Sequence, residues 1–422
     1  MSKYWRRYAD IELERSLNAF GAVLIEGPKW CGKTTTAEQA SGSVLYLQDP
    51  DRRAEFSAIL KTKPSILLEG DSPRLIDEWQ LTTELWDAIR FQIDQRRQKG
   101  LFILTGSTSV DESRIQHSGA GRIRRMRMGT LSLAESGDSS CEVFLEDMLE
   151  QKDVSGHSDL TIEKLARLIV RGGWPESIGA EDDVVREQIS GYCDTLVHSD
   201  IQTVDGRRRN PDTMVGILRS ISRNISTSIA DTKIVADILE KDNYSVHANT
   251  VKDYLNALRR LFVLEDLPAW SPKVRSRTTV RTSDTRHLCD PALACHFLGA
   301  SWRTLLEDFN TFGLLFESLA IRDLRTYASV LGGRIYHYRD SDNLECDAVI
   351  VFPDGSWGAM EVKLGSGMVE EAASNLIRLR GKVDTDRHAL KFLAVVTGTE
   401  FAYRREDGVY VVPLGCLAAR GL

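Results

Sequence analysis

The sequence predicts an α/β protein of more than one unit, and three observations carry that reading. Ala22 to Ile25 is an apolar run the size of a buried strand, and it feeds a glycine-rich loop, Gly27-Pro-Lys-Trp-Cys-Gly-Lys-Thr34, that opens a helical stretch. Short apolar runs then alternate with helix-spaced segments, the pattern of a parallel, doubly wound sheet. After a helical middle, the last third returns to strands that carry charged pairs. A chain of 422 residues has room for roughly two to four domains.

Taken in order, the loop matches G-x-x-x-x-G-K-[ST] at every fixed position, between a strand and a helix as the motif requires. Gly27 and Gly32 let the backbone curl so that its N–H groups face an anion. Lys33 is placed for the β- and γ-phosphates of a nucleotide, and the Thr34 hydroxyl for Mg²⁺. The helix beyond, with Thr35 in its first turn, turns its positive end to the same point. Pro28, Lys29, Trp30 and Cys31 complete the loop. Cys31 reads as a loop residue rather than a nucleophile. Val44 to Leu47 is a second strand. Arg74-Leu-Ile-Asp-Glu78 is a third, ending in two carboxylates: Asp77 to hold the metal and Glu78 to deprotonate an attacking water. Leu101 to Thr105 is a fourth. It leads to Ser107, the candidate γ-phosphate sensor, with Thr105 and Thr108 close by. Arg122, Arg124, Arg125 and Arg127 follow on an alternating strand. Arg122 or Arg125 could serve as a finger in a neighbour's site, or these arginines form a solvated basic edge.

Composition narrows the setting. Hydrophobic content of 42% and charged content of 27% are ordinary for a globular chain, and a net charge of −7 gives no overall basic field for nucleic acid. The charged start, Met1 to Tyr8, lacks the apolar core of a secretory signal, and no apolar run reaches membrane-spanning length. The 7 Cys are scattered without a C-x-x-C pair, as expected for reduced thiols. A cytoplasmic protein without a membrane partner is expected.

Residues 136–160 read as a surface connection. Ile162 to Val170 and Val184 to Val197 are amphipathic helices, read together as a lid. Met214 to Asn224, Thr232 to Glu240 and Asn249 to Leu261 are three more, and Leu261 to Leu264 turns to strand. Three helices and a strand resemble a winged helix. Lys and Arg outnumber Asp and Glu over 205–286, so phosphate-backbone contacts through Arg207, Arg208 and Arg209 are an alternative to a pure packing role. His247 and His287 lack a partner at metal spacing and read as surface or capping residues.

In the last third, Phe312 to Leu324 is an amphipathic helix with Glu317. Gly333 to Tyr338, Glu345 to Val351 and Trp357 to Lys363 are strands. Glu361 and Lys363 are two apart on one strand and share a face. With Asp347 beside them and Glu317 from the preceding helix, they form the layout of a restriction-endonuclease-like, PD-(D/E)xK-like fold, suited to Mg²⁺ and an activated water. The rival reading is a charged strand face with an internal Glu–Lys pair.

Together the motifs resemble the prokaryotic AAA+-type ATPases that pair an N-terminal P-loop domain with a C-terminal domain of unknown function. Besides the loop, Leu75-Ile-Asp-Glu78 and Leu104-Thr-Gly-Ser107, the resemblance rests on Ala120-Gly-Arg122, Arg171-Gly-Gly-Trp-Pro-Glu176, Phe316-Glu317, Glu345-Cys-Asp347 and Glu361-Val-Lys363. Trp30 and Cys31 depart from it, standing where smaller or more polar residues are expected. The resemblance implies ATP and Mg²⁺ as ligands and ATP hydrolysis. It also implies a winged-helix linker and a nuclease-like C-terminal fold, and with the segments read above the expected units are an ATPase domain over 1–150, a helical lid over 151–204, a winged-helix-like unit over 205–286 and a nuclease-like domain over 287–422. An ATP-regulated, metal-dependent DNA nuclease and a non-catalytic DNA-binding regulator are the alternatives. A finger acting in trans would make a homo-oligomer the natural assembly.

Overall fold

The computed structural model describes residues 4–109, 119–271, 283–383 and 388–422. Strands β1 (Ala22–Glu26), β2 (Ser43–Tyr46), β3 (Arg74–Asp77), β4 (Phe102–Gly106) and β5 (Ile123–Arg127) form one sheet of order β2-β3-β4-β1-β5. Every pairing in it is parallel. The central strand is apolar throughout because both faces are covered. Ala22 and Leu24 pack with Trp79, Trp86 and Phe102 on one side, while Val23 and Ile25 pack with Leu13, Ile103 and Met126 on the other. The ends of β1, β3 and β4 that lead into the glycine-rich loop, the acid pair and Ser107 all lie on the same edge, because the strands run parallel.

The connection after this sheet is not superficial. It contains β6 (Val143–Phe144) and β7 (Gly156–His157), and Val143, Leu145 and Met148 are fully buried. Its partners come from the end of the chain, described below, which is why local composition read it as a surface segment.

The middle is helical as its periodicity predicts. Helices run Ile162–Arg171, Asp182–Thr195, Pro211–Arg223, Asp231–Asp242 and Ala248–Arg260. The Thr161 hydroxyl and the Asn210 side chain cap two of them, accepting from first-turn amides. Leu196–Asp200 extends the second as a π-helical turn. The strand expected at Leu261 begins three residues later. Phe262 sits at φ 61° in a turn, and only then do β8 (Leu264–Leu267) and β9 (Thr285–Leu288) pair antiparallel.

The last unit opens with the long helix Phe309–Val330. Strands β10 (Arg334–Arg339), β11 (Glu345–Val351) and β12 (Trp357–Lys363) follow antiparallel, and the helix Val369–Lys382 crosses to β13 (Leu390–Thr397), parallel to β12. With β14 (Phe401–Arg404) and β15 (Tyr410–Pro413), and with β7 at one edge, this makes a seven-stranded sheet of order β10-β11-β12-β13-β15-β14-β7. The last strand, β16 (Leu417–Ala418), pairs with β6.

One apolar interior runs from Leu165 and Ile189 through Ile217 and Leu258 to Leu319 and Val412, without a break at 204 or 286. A buried polar hub pins the first sheet to it. Asp290, fully buried, accepts from Thr130 Oγ1 at 2.7 Å, Gly173 N–H at 2.9 Å and Arg322 at 2.9 Å. Asp323 accepts from Leu133 N–H at 2.9 Å and pairs with Arg322. Asp290→Ala removes the acceptor of these three donors and of Ala292 N–H, and is expected to destabilise the protein by about 3–5 kcal/mol. A urea midpoint that stayed where it was would contradict this.

Two expectations are corrected here. His287 is neither at the surface nor capping. It is buried in β9, its Nδ1 3.4 Å from Ser318 Oγ, and burial holds its pKa well below the usual value, so the ring is neutral. His247 does occupy a helix N-cap position. Arg209 is not available to a phosphate backbone. It is buried and holds Asp205 at 2.7 Å and Asp253 at 3.0 Å, while Arg207 also pairs with Asp253. Two nearby carboxylates inside the fold outcompete an external anion for that side chain, and Arg209 draws Asp205 down to about 2. Arg208 is exposed.

Candidate functional site

The glycine-rich loop is shaped by backbone constraints. A Cβ on Gly27 would lie 1.9 Å from the Met128 carbonyl oxygen, so no side chain fits there. Gly32, at φ 95°, N-caps the helix Lys33–Ala40. Trp30 also takes a left-handed conformation, φ 68°, and its side chain is half exposed. Starting the helix at Lys33 leaves its first-turn amides without carbonyl partners, the arrangement that binds anions. Arg7 braces the loop from below, donating to Cys31 O at 2.8 Å and to Glu135 at 3.0 Å. Cys31 is fully buried against Met128, as befits a packing residue.

Lys33 is nearly buried, and its ammonium donates to Pro28 O at 2.8 Å within the loop. Thr34 Oγ1 donates to Asp77 Oδ1 at 2.7 Å, so the hydroxyl and carboxylate expected to share one cation are adjacent. Thr105 donates to the same oxygen at 2.6 Å, and Gln48 to Asp77 Oδ2 at 3.1 Å. Glu78 sits at φ 55°, its N–H donating to Thr105 Oγ1 at 3.2 Å. Its carboxylate accepts from Ser107 Oγ at 3.0 Å and from the Gln80 amide. Ser107 is thus bound to the acid in this state.

Lys33, Thr34, Gln48, Glu78, Gln80 and Ser107 border a cavity of about 1030 Å³ whose wall also includes Thr108, with Asp77 and Thr105 buried behind them. The opposite wall comes from the helical middle: Pro175, Glu176, Thr203, Val204 and Arg260. Two residue pairs join the walls. Lys29 pairs with Asp200 at 2.7 Å, and Ser109 N–H donates to Arg260 O at 2.8 Å while the guanidinium returns to Ser109 O at 3.2 Å. The Arg171-Gly-Gly-Trp-Pro-Glu176 stretch divides between two roles. Gly173 enters the Asp290 hub, where a Cβ would lie 2.2 Å from Leu131 O, and Pro175 and Glu176 reach the cavity.

The candidate finger arginines do not line this chain's own cavity. Arg122 precedes β5, at the opposite end of the parallel strands, and pairs with Asp94 at 3.0 Å. Arg125 donates to Glu26 at 3.3 Å. Arg124 lies 4.0 Å from Glu12, and Arg127 stacks on Phe262 and pairs with Glu265 at 2.7 Å. Any role for Arg122 or Arg125 at a phosphate therefore needs a second copy.

The second set of residues also meets. β11 and β12 pair Ala348 with Met360, which sets Asp347 beside Glu361. Lys363 Nζ lies 2.8 Å from Glu361 and 3.4 Å from Asp347, and Val362 N–H donates to Asp347 at 2.7 Å. Burial, with Asp347 close by, pushes Glu361 up to about 8 against the pull of Lys363. The same two influences push Glu317, on the neighbouring helix, well above the carboxylate range. Among the described residues no group of three or more His, Cys, Asp or Glu is arranged to hold a metal. The cation between Asp347 and Glu361 is the lysine itself.

Sequence reasoning missed Gln48, Gln80, Asp200 and Arg260. Gln48 and Gln80 stand within two residues of a strand end or the acid pair, a signal that proximity could have given. Asp200 reaches the loop, and Arg260 reaches Ser109 beyond β4, only through the tertiary fold.

This parallel sheet, with its loop and acid pair on one edge, defines an AAA-type, ATPase-like domain. Residues 19–137 match the family model described as an AAA domain. Residues 162–304 and 312–417 match two models described as domains of unknown function, DUF8612 and DUF4143. Uncharacterized proteins of Mycobacterium bovis and Mycobacterium tuberculosis are each 24% identical over 99% of this chain and 85% of their own length. Among solved structures, AMPPCP-bound DnaA from Aquifex aeolicus aligns at 15% identity, covering 60% of this chain and 86% of its own, with a TM-score of 0.23. Orc1 from Aeropyrum pernix in complex with DNA aligns at 12%, covering 72% and 95%, with a TM-score of 0.27. Among the described residues no helix is long and apolar enough to cross a membrane.

Proposed function

We propose that the chain binds ATP with Mg²⁺ at the glycine-rich loop and hydrolyses it. The observation that carries this reading is the 2.7 Å contact between Thr34 Oγ1 and Asp77 Oδ1, with Thr105 and Gln48 fixing the carboxylate. Two hard oxygen donors beside a loop of open amides fit Mg²⁺ and a polyphosphate. The metal would neutralise phosphate charge there. Lys33 exchanges the Pro28 carbonyl for the β- and γ-phosphates. Glu78 orients the attacking water and takes its proton. Ser107, bonded to Glu78, links the γ-phosphate to the base. Because Asp200 holds the helical wall to the loop and Arg260 holds it to Ser109, turnover would move that wall against the sheet and re-aim the C-terminal unit. Residues 151–204 then act as the lid and 205–286 as the winged helix. A neighbour's Arg122 or Arg125 would complete the site in a homo-oligomer. Phosphate release measured with and without DNA, alongside solution mass, tests the scheme. No heat with ATP and Mg²⁺ and no phosphate released would end it.

The convergence of Glu317, Asp347, Glu361 and Lys363 favours a second reading, a DNA nuclease regulated by ATP. Plasmid incubated with Mg²⁺ or Mn²⁺ and ATP should then be cut, and Asp347→Asn should stop the cutting. Intact plasmid under both metals rejects this reading.

A further inference from the structure

Gln80 lies two residues beyond Glu78, in the short turn Trp79–Leu81. That turn is closed by Leu81 N–H donating to the Glu78 carbonyl at 3.0 Å, so backbone and side chain of Gln80 move with Glu78. The Gln80 amide nitrogen donates to Glu78 Oε2 and lies 3.4 Å from Ser107 Oγ, which donates to the same oxygen at 3.0 Å. Both bonds thus fall on Oε2. The amide oxygen of Gln80 is buried without a hydrogen-bond partner among the described residues, which costs stability. It packs against Gly106, where a Cβ would lie 3.2 Å from it. A residue held at a cost, with its donor on the acid, is placed for the acid rather than for the fold.

We propose that Gln80 is the positioning residue for Glu78, an inference that rests on the ATPase reading above. With Oε2 clamped by Gln80 and Ser107, Oε1 faces the attacking water. In the step it serves, a water O–H bond breaks and the proton passes to Glu78 Oε1. The water oxygen bonds to the γ-phosphorus, and the bond from that phosphorus to the β–γ bridging oxygen breaks, releasing ADP.

Gln80→Met keeps the length and loses the donor. It is expected to lower kcat on the order of 10–100-fold, as misplacement of a reacting group does, while affinity for a non-hydrolysable ATP analogue stays within about twofold. Gln80→Asn, a shorter donor, should recover part of the rate. In a Glu78→Gln background, Gln80→Met should change nothing further, because the group it positions is already gone. Wild-type kcat in Gln80→Met, or a parallel fall in analogue affinity, overturns the role of Gln80 while leaving the ATPase reading intact. Absence of turnover in the unmodified protein ends both. If Gln80→Met does not fold, Gln80→Leu, which also lacks a donor and carries no charge, replaces it with the same expected loss.

Discussion

Lys33→Ala is expected to cut ATP turnover on the order of 10²–10³-fold, the usual cost of removing one preorganised charge from a developing anion. The fold should survive. The Lys33 ammonium bonds the Pro28 carbonyl, so the variant leaves no buried carboxylate unpaired and forfeits about 1 kcal/mol of hydrogen bonding. Phosphate release and a thermal melt on the same preparation check both halves. Turnover at the normal rate from a folded variant would remove this loop from the chemistry.

Glu78→Gln is expected to bind ATP and fail to hydrolyse it, with turnover down roughly 10²–10⁴-fold, the contribution of a general base. Binding survives because the groups proposed to meet phosphate and metal, Lys33, Thr34 and Asp77, are untouched. Asp77 keeps its own bonds to Thr34, Thr105 and Gln48. Calorimetry with ATP and Mg²⁺ should register heat while phosphate release stays at background. Full turnover would transfer the role of base elsewhere, and loss of binding would make Glu78 part of the nucleotide cradle.

The two acidic sites differ in what a sequence can reveal. Gly27, Gly32, Lys33 and Thr34 stand at fixed spacing because one turn and one helix start must aim amides at one anion, and local geometry enforces that spacing. Asp347, Glu361 and Lys363 are nearly as legible, since a two-residue period on one strand and an antiparallel neighbour suffice to bring them together. Legibility failed where a partner lies far along the chain. Val143 and Gly156 look like loop residues until Leu417 and Phe401 pair with their strands. Arg209 looks like a surface cation until Asp205 and Asp253 close around it. His287 looks solvent-facing until Ser318 of the long helix packs on it.

By itself the sequence determined the alternation of strands and helices, the glycine-rich loop with its acid pair, and the charged trio near the end of the chain. Each depends on neighbours within a few residues or on a simple period, so chain chemistry alone specifies it. The tertiary structure decided which helices wall the cavity, that Lys29 meets Asp200 and Ser109 meets Arg260, and that the candidate fingers point away from their own site. It also decided that a single apolar interior joins the helical middle to the second sheet. Those outcomes depend on how sheets and helices stack to exclude water, a property of the whole fold that no local window of residues encodes.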